Sequence, residues 1–294
     1  MKNYVITGSI GHISKPIIQG LVKAGKNVSV ITSNPANKKE IENLGAKALV
    51  GSLYDEAFVL ESFRNADVVY TMVPPIWQTD NWRRSQDTVS SHYVKAIKQN
   101  KVRYVVNLSS IGAHLSEGCG PVNAIHYLEQ ELNHIQGLNV RHLRPAYFYY
   151  NLLSLIPLVK HAGILGSNFG NARIPMIHTR DIAAIALEEL INLNFKGNSV
   201  RHIVGDERTG TEIAAVLSKA VGKNIPWVDF TDEQQLKGLL DGGVPATHAP
   251  AFVEMGVALR NGTMQEKVVA EKPALSPTKL EDFAKEFAEA FEKA

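Results

Sequence analysis

The 294-residue sequence predicts an α/β protein: a doubly wound parallel sheet with a smaller, interleaved C-terminal α+β lobe. Three observations carry that prediction. Short apolar, strand-like runs alternate with amphipathic helical patterns through the first half of the chain, and such alternation builds a parallel sheet covered by helices on both faces. The first run ends in a glycine-rich turn that opens a helix. After about Ala146 the alternation loosens into short strands mixed with helices.

The first strand spans 4–7 and enters Thr7-Gly8-Ser9-Ile10-Gly11-His12-Ile13-Ser14, after which Ile17, Ile18, Leu21 and Val22 mark a helix. A strand, a glycine-rich turn and a helix N-terminus together make an anion site. The glycines let the backbone approach a pyrophosphate, and the first-turn N–H groups and the helix dipole attract it. Gly8 to Ile13 are therefore candidate pyrophosphate ligands; the plainer reading is an ordinary strand-to-helix turn. Further strands are expected at 28–32, 48–50, 68–73, 104–108 and 140–143, with helices at 16–24, 38–44, 56–63, 86–99 and 124–135. This order places every strand-end loop on one edge, where ligands bind in such sheets. Beyond it come strands at 173–177, 201–204 and 227–230, and helices at 182–192, 212–221, 232–240, 249–259 and 279–293. The expected division is a nucleotide-binding domain at 1–150 and an interleaved substrate-side lobe at 151–294.

Composition excludes several classes. The chain is 45% apolar and 20% charged with a net charge of +2, ordinary for a globular protein, and without a basic stripe it offers nothing to a nucleic acid. The single Cys119 excludes an internal disulfide and fits a reducing compartment. With no leader pattern and no apolar run of membrane-spanning length, a cytoplasmic protein without a membrane partner is expected. His114, His126, His161 and His178 lack metal-ligand spacing, so no metal is expected. There is no Gly-x-Ser-x-Gly elbow.

The strand-end loops supply the remaining candidates. No carboxylate occurs between Lys2 and Lys39, although a site specific for NAD usually carries one after its second strand. Its absence permits a 2′-phosphate, with Ser33 and Asn34 as hydrogen-bonding groups and Lys38 or Lys39 as charge; equally, the lysines decorate an exposed helix start. Ser52 and Leu53 would lie beside an adenine. Val73, Pro74 and Pro75 would flank the cofactor, or form only a stiff turn. Ser109 and Ser110 stand at the end of the fifth strand, facing the crevice or acting as a turn-making pair.

On these residues the chain resembles the NmrA-like family of the atypical short-chain dehydrogenase/reductase superfamily, nearly end to end. The landmarks are Thr7-Gly8-x-x-Gly11, Ser33-Asn34-Pro35 with Lys38, Leu108-Ser109-Ser110-x-Gly112 and His126. Leu143-Arg144-Pro145-x-x-Phe148 with Asn151-Leu152-Leu153, Ile174-Pro175 and Arg180-Asp181-Ile182-Ala183 follow, then Gly205, Thr211-Glu212-Ile213-Ala214 and Arg260-Asn261-Gly262. The resemblance implies a Rossmann fold binding NAD(P). Its members divide into reductases of quinones, triphenylmethane dyes and related aromatic acceptors, and non-catalytic redox sensors that regulate protein partners. Against the family pattern, Ser14 replaces the third glycine and Ser33 an arginine. The superfamily's Tyr-x-x-x-Lys pair, in which Lys lowers the pKa of a proton-donating Tyr, is replaced by His126 and Gln130. His126 is the remaining candidate proton donor, and Gln130 is expected beside the cofactor.

Trp77, Ser110, His114, Tyr147, Tyr149 and His178 are candidates for an acceptor pocket, because rings near a strand end suit flat ligands. The alternative is that the tyrosines form core and that Asp181 is simply the N-cap of the next helix. The expectation is an NADPH-favouring reductase of a small aromatic acceptor. The competing readings are a non-catalytic NAD(P) sensor with a protein partner and, more remotely, a nucleotide-sugar epimerase or dehydratase.

Overall fold

The structure is a computed structural model that describes residues 2–74, 79 and 81–294. The first half alternates as expected: β1 (Asn3–Ile6), α1 (Ser14–Lys23), β2 (Asn27–Thr32), α2 (Lys38–Asn43), β3 (Lys47–Val50), α3 (Glu56–Ser62), β4 (Val68–Thr71), α4 (Trp82–Gln99), β5 (Tyr104–Leu108), α5 (Asn123–Asn133) and β6 (Asn139–Pro145). Then come β7 (Tyr147–Phe148), α6 (Ile156–Ala162), β8 (Leu165–Ser167), β9 (Ile174–Ile177), α7 (Thr179–Asn192), β10 (Asn198–Ile203), β11 (Asp206–Arg208) and α8 (Gly210–Val221). The chain ends with β12 (Trp227–Asp229), α9 (Asp232–Asp241), α10 (Ala249–Arg260), α11 (Glu266–Glu271) and α12 (Leu280–Lys293).

The large sheet runs β3-β2-β1-β4-β5-β6-β10, the doubly wound order with its crossover reversal between β1 and β4, where such folds place their ligand. The pairings among β1 to β6 are parallel. α4 starts at Trp82 rather than at 86, because Asn81 caps it by accepting from the Arg84 N–H at 2.9 Å. The sequence pattern does not disclose the short elements β7, α6, β8, β11 or α11.

Two compact units are distinguished. The first comprises Met1–Ser110, Ala124–Arg144 and Ile182–Arg201; the second comprises Ile111–Asn123, Pro145–Asp181 and His202–Ala294. In the first, Val5, Ile31, Val69, Val105 and Val140 of successive strands pack on Val59, Tyr93, Ile97, Leu128 and Leu132 of α3, α4 and α5, burying apolar surface at about 25 cal/mol per Å². In the second, β11-β9-β7 and β12-β8 form small sheets. α12 buries Leu280, Phe283, Ala284, Phe287 and Phe291, an i, i+3, i+4 stripe that is its reason for being a helix. Among the described residues no helix is long and apolar enough to cross a membrane, and no group of three or more metal-ligating side chains occurs.

A buried polar chain crosses the first unit. Thr71 Oγ1 donates to Asn107 Oδ1 (2.9 Å), Asn107 Nδ2 faces His142 Nδ1 (3.1 Å), and His142 Nε2 faces Asn133 Oδ1 (2.9 Å). Because Asn107 Oδ1 is already an acceptor, its Nδ2 donates to Nδ1, and the imidazole carries its proton on Nε2. The neutral ring satisfies every partner, whereas the charged ring would set an N–H against an N–H. Burial pushes His142 down to about 4 from the ordinary 6.5. A depressed histidine leaves the unfolded chain binding more protons, so stability is complete above pH 6.5 and is lost as pH falls toward 4. Urea unfolding should show the wild type losing up to about 3 kcal/mol across that window, with His142→Gln losing less; equal losses would remove His142 as the cause.

Candidate functional site

The described cofactor candidates belong to the first unit, and all but Gln130 of α5 lie in the segments that follow β1 to β5. Thr7 locks β1 to β4: Met72 N donates to its hydroxyl at 2.9 Å, and Tyr93 donates to the Met72 carbonyl at 3.0 Å. Beyond Thr7 the chain turns through Gly8–Ile13 into α1, whose first turn carries no acidic residue and no side-chain cap. Lys15 N donates to the Gly11 carbonyl at 2.9 Å, and no side chain caps the helix N-terminus.

The two glycines differ in what they meet. A Cβ on Gly8 would stand 2.0 Å from Ser14 Oγ, whereas one on Gly11 would meet only the Gly8 carbonyl, at an ordinary 3.6 Å. Gly8 is packed closely against the buried Ser14; this is how a serine fits in place of the third glycine. At the exposed Gly11 the fold leaves room for a side chain, which is the arrangement expected where a ligand needs that space. Ser9 has φ 50°, a left-handed conformation that costs a serine about 1 kcal/mol. Ile10 and Ile13 are half-buried, and His12 is exposed.

After β2, Ser33, Asn34, Lys38 and Lys39 are exposed. Asn34 Oδ1 caps the short 3-10 turn Pro35–Asn37 by accepting from Ala36 N, and Lys38 lies 4.0 Å from Glu42. After β3, Ser52 Oγ accepts from Tyr54 N (3.1 Å), and the Leu53 carbonyl receives His92 Nδ1 (2.9 Å). Val73 and Pro74 are half-buried after β4. Pro75 and Trp77 lie outside the described residues.

At the end of β5 the structure gives Ser109 a partner that the sequence reading missed. The Ser109 hydroxyl donates to Glu129 Oε1, and the Arg144 guanidinium grips the same carboxylate through Nε (3.0 Å) and Nη2 (2.5 Å). Glu129 is 1% exposed and Ser109 4%. The hydroxyl is therefore turned into the protein, while Ser110 is half-buried. The signal in the sequence was a charge at position 129 on the apolar face that Ala124, Leu128 and Leu132 give α5; a buried charge demands a buried partner. His126 and Gln130 are half-buried one turn apart on α5, and Tyr127 is turned toward α4, its hydroxyl 3.4 Å from Ser91 Oγ.

The remaining acceptor-pocket candidates belong to the second unit. Tyr147 is half-buried, edge-on to Phe169, and burial raises its phenol to about 12. Tyr149 is fully buried, stacked on Phe283 at 5.7 Å, which makes it a core side chain. His178 stands edge-on to Tyr149 and Phe283, with Nε2 3.0 Å from Glu286 Oε1. Its Nδ1 accepts from Arg180 N at 3.0 Å, so His178 caps α7. Asp181, expected as that cap, instead accepts from Thr278 N (3.0 Å) and Oγ1 (2.7 Å). His114 Nε2 lies 3.0 Å from Glu266 Oε1.

An NAD(P)H azoreductase of Xenophilus azovorans is 24% identical over 254 residues, 85% of each chain. The NADPH-dependent quinone oxidoreductase of Escherichia coli in complex with NADPH superposes with a TM-score of 0.83 at 20% identity, over 96% of this chain and 99% of that one. The triphenylmethane reductase of Citrobacter sp. in complex with NADP(H) gives 0.79 at 18% identity, over 97% and 99%. The family model for NmrA-like proteins matches residues 1–288. With that match running through both units, the chain belongs to the NmrA-like family.

Proposed function

We propose that the protein is an NAD(P)H-dependent reductase of small aromatic acceptors of the quinone or dye class. The observation that carries this reading is the space over Gly11, which the fold leaves open at an uncapped helix N-terminus. It is supported by the reductase activities for which the azoreductase, quinone oxidoreductase and triphenylmethane reductase that the chain resembles are named.

The residues present fit a dinucleotide. The amides of Gly8–Ile13 and the first turn of α1 would hold the pyrophosphate. Ser33, Asn34 and Lys38 would meet the adenine ribose with no carboxylate nearby, so NADPH is favoured over NADH. Ser52, Leu53, Val73 and Pro74 would flank the bases. When bound, the dinucleotide supplies the hydride. His126 would be the group to hold a proton, and the residue one turn away is the uncharged Gln130. Quinones and dyes need little proton assistance, so the protein contributes mainly by orienting the reactants. The missing Tyr and Lys also support the sensor reading, in which the dinucleotide binds without turnover.

Gly11→Val should abolish calorimetric binding of NADH and NADPH while leaving the melting temperature nearly unchanged. Gly8→Val should lower the melting temperature through its collision with Ser14. Retained affinity in Gly11→Val would remove the phosphate-loop assignment.

Ser33→Arg should strengthen NADPH binding about tenfold or more relative to NADH, the scale of one charged hydrogen bond. A flat ratio would mean that the 2′-phosphate lies elsewhere.

With a quinone or dye acceptor, His126→Ala should leave kcat nearly intact, whereas loss of a general acid would cost at least about a hundredfold. A large loss that varies with pH would restore His126 as proton donor. Absence of turnover across a panel of quinones and dyes, despite tight NADPH binding, would move the protein to the sensor class.

A further inference from the structure

A cleft of about 440 Å³ lies in the second unit where α6, α8 and α12 end. Its floor is apolar, formed by the buried Val159, Ile225 and Phe291. Lys160, in the last turn of α6, and Lys223, just beyond α8, form its walls. Both turns are fixed. Gly163, at φ 68°, closes α6 by donating its N–H to the Val159 carbonyl at 3.0 Å. Ser218 Oγ accepts from Ile225 N (3.0 Å) and donates to the Ile225 carbonyl (3.1 Å), while Lys223 N donates to the Ser218 carbonyl at 3.2 Å. None of these residues is among the dinucleotide or acceptor candidates.

The two lysines are the unusual part. Each ammonium stands over the Phe291 ring, 5.1 Å from its centroid, so the two nitrogens are separated by twice that distance at most. Such a span is comparable with the screening length of about 8 Å in physiological salt, so like charges still repel across it. Among the described residues neither ammonium makes a hydrogen bond or an ion pair. Lysines that served only the ends of α6 and α8 would hydrogen-bond the last carbonyls; these are drawn over the ring instead. Glu292 lines the same cleft without pairing with either nitrogen. The result is an excess of positive charge above an apolar floor.

That combination selects for a ligand with both features. A free sulfate or phosphate would leave the floor unused, and a neutral ring would leave the ammoniums unpaired. The volume is near the lower end of small-molecule sites, which sets the apolar body at one or two rings. We propose that this cleft binds an amphiphilic aromatic anion, an aryl sulfonate or carboxylate, whose ring rests on Val159, Ile225 and Phe291 while its acid group pairs with Lys160 and Lys223. The inference uses residues of the second unit alone and is independent of the dinucleotide reading.

Calorimetric titration of the whole chain with 2-naphthalenesulfonate, methanesulfonate and sodium sulfate tests it. The naphthyl compound should bind at one site, about tenfold or more tighter than the two ions that lack a ring. Lys160→Gln combined with Lys223→Gln should weaken it by about tenfold or more, the scale of one charge-assisted hydrogen bond. Lys160→Arg combined with Lys223→Arg should retain it. Both lysines are exposed, and a thermal melt verifies that each variant is folded. Saturating NADPH should leave the affinity unchanged. No binding to the wild type at millimolar probe, or undiminished binding in the folded Gln pair, overturns the site. Equal losses in the Gln and Arg pairs overturn the role of charge. Equal affinity for sulfate or methanesulfonate reduces the cleft to an adventitious ion only and overturns the aromatic ligand. Displacement of the probe by NADPH places it in the dinucleotide site and overturns the inference, whereas a protein that fails to bind NADPH but keeps the rest of this pattern loses only the dinucleotide reading.

Discussion

The carboxyl edge of the parallel sheet is held by buried polar cross-links, and the arrangement of the candidate site depends on them. Thr7 joins β1 to β4 and, through Met72, to Tyr93 of α4. Thr71, Asn107, His142 and Asn133 join β4, β5, β6 and α5. Ser109, Glu129 and Arg144 join β5, α5 and β6. Apolar packing drives the collapse of this core but tolerates small slips, whereas a buried hydrogen-bonded group is costly to leave unpaired. Strand ends stitched in this way cannot drift, and the loops that follow them start from fixed points.

The Glu129–Arg144 pair shows the cost of that rigidity. Desolvating two charges offsets much of their attraction, so the pair adds little net stability, yet removing one member leaves a buried charge exposed to a poor solvent. The pair is therefore better understood as fixing position than as adding strength. It also redirects Ser109, whose hydroxyl would otherwise be available to a ligand.

The fold was legible because its governing signal is local. Apolar runs such as Val68–Thr71 and helical stripes such as Val89, Tyr93 and Ile97 register in any short window, and the glycine-rich turn announces the edge where ligands bind. Several family landmarks proved to be structural once placed. Thr209 and Glu212 form the capping box that starts α8, and Arg260 clamps Asp232 and the Asn168 carbonyl. The glycine-rich turn was readable, but the difference between its two glycines was not: Gly8 packs on Ser14, a contact that depends on the closed turn. Glu129 and the capping role of His178 depend on partners distant in sequence or on a loop's conformation, which no periodicity reports. Tyr149 and His178 carried ambiguous chemistry, since a ring near a strand end looks the same whether it lines a pocket or fills a core.

The contrast between Gly8 and Gly11 separates two kinds of selection acting three residues apart. At position 8 a Cβ would press on the hydroxyl of the buried Ser14, so a side chain there is opposed by the protein's own packing. At position 11 the fold leaves room for a side chain, and under the proposed function only the bound dinucleotide would oppose one. In a population released from the need to bind that partner, position 11 would drift freely while position 8 stayed fixed. The rate of change at those two sites would then date the loss of the activity separately from the loss of the fold.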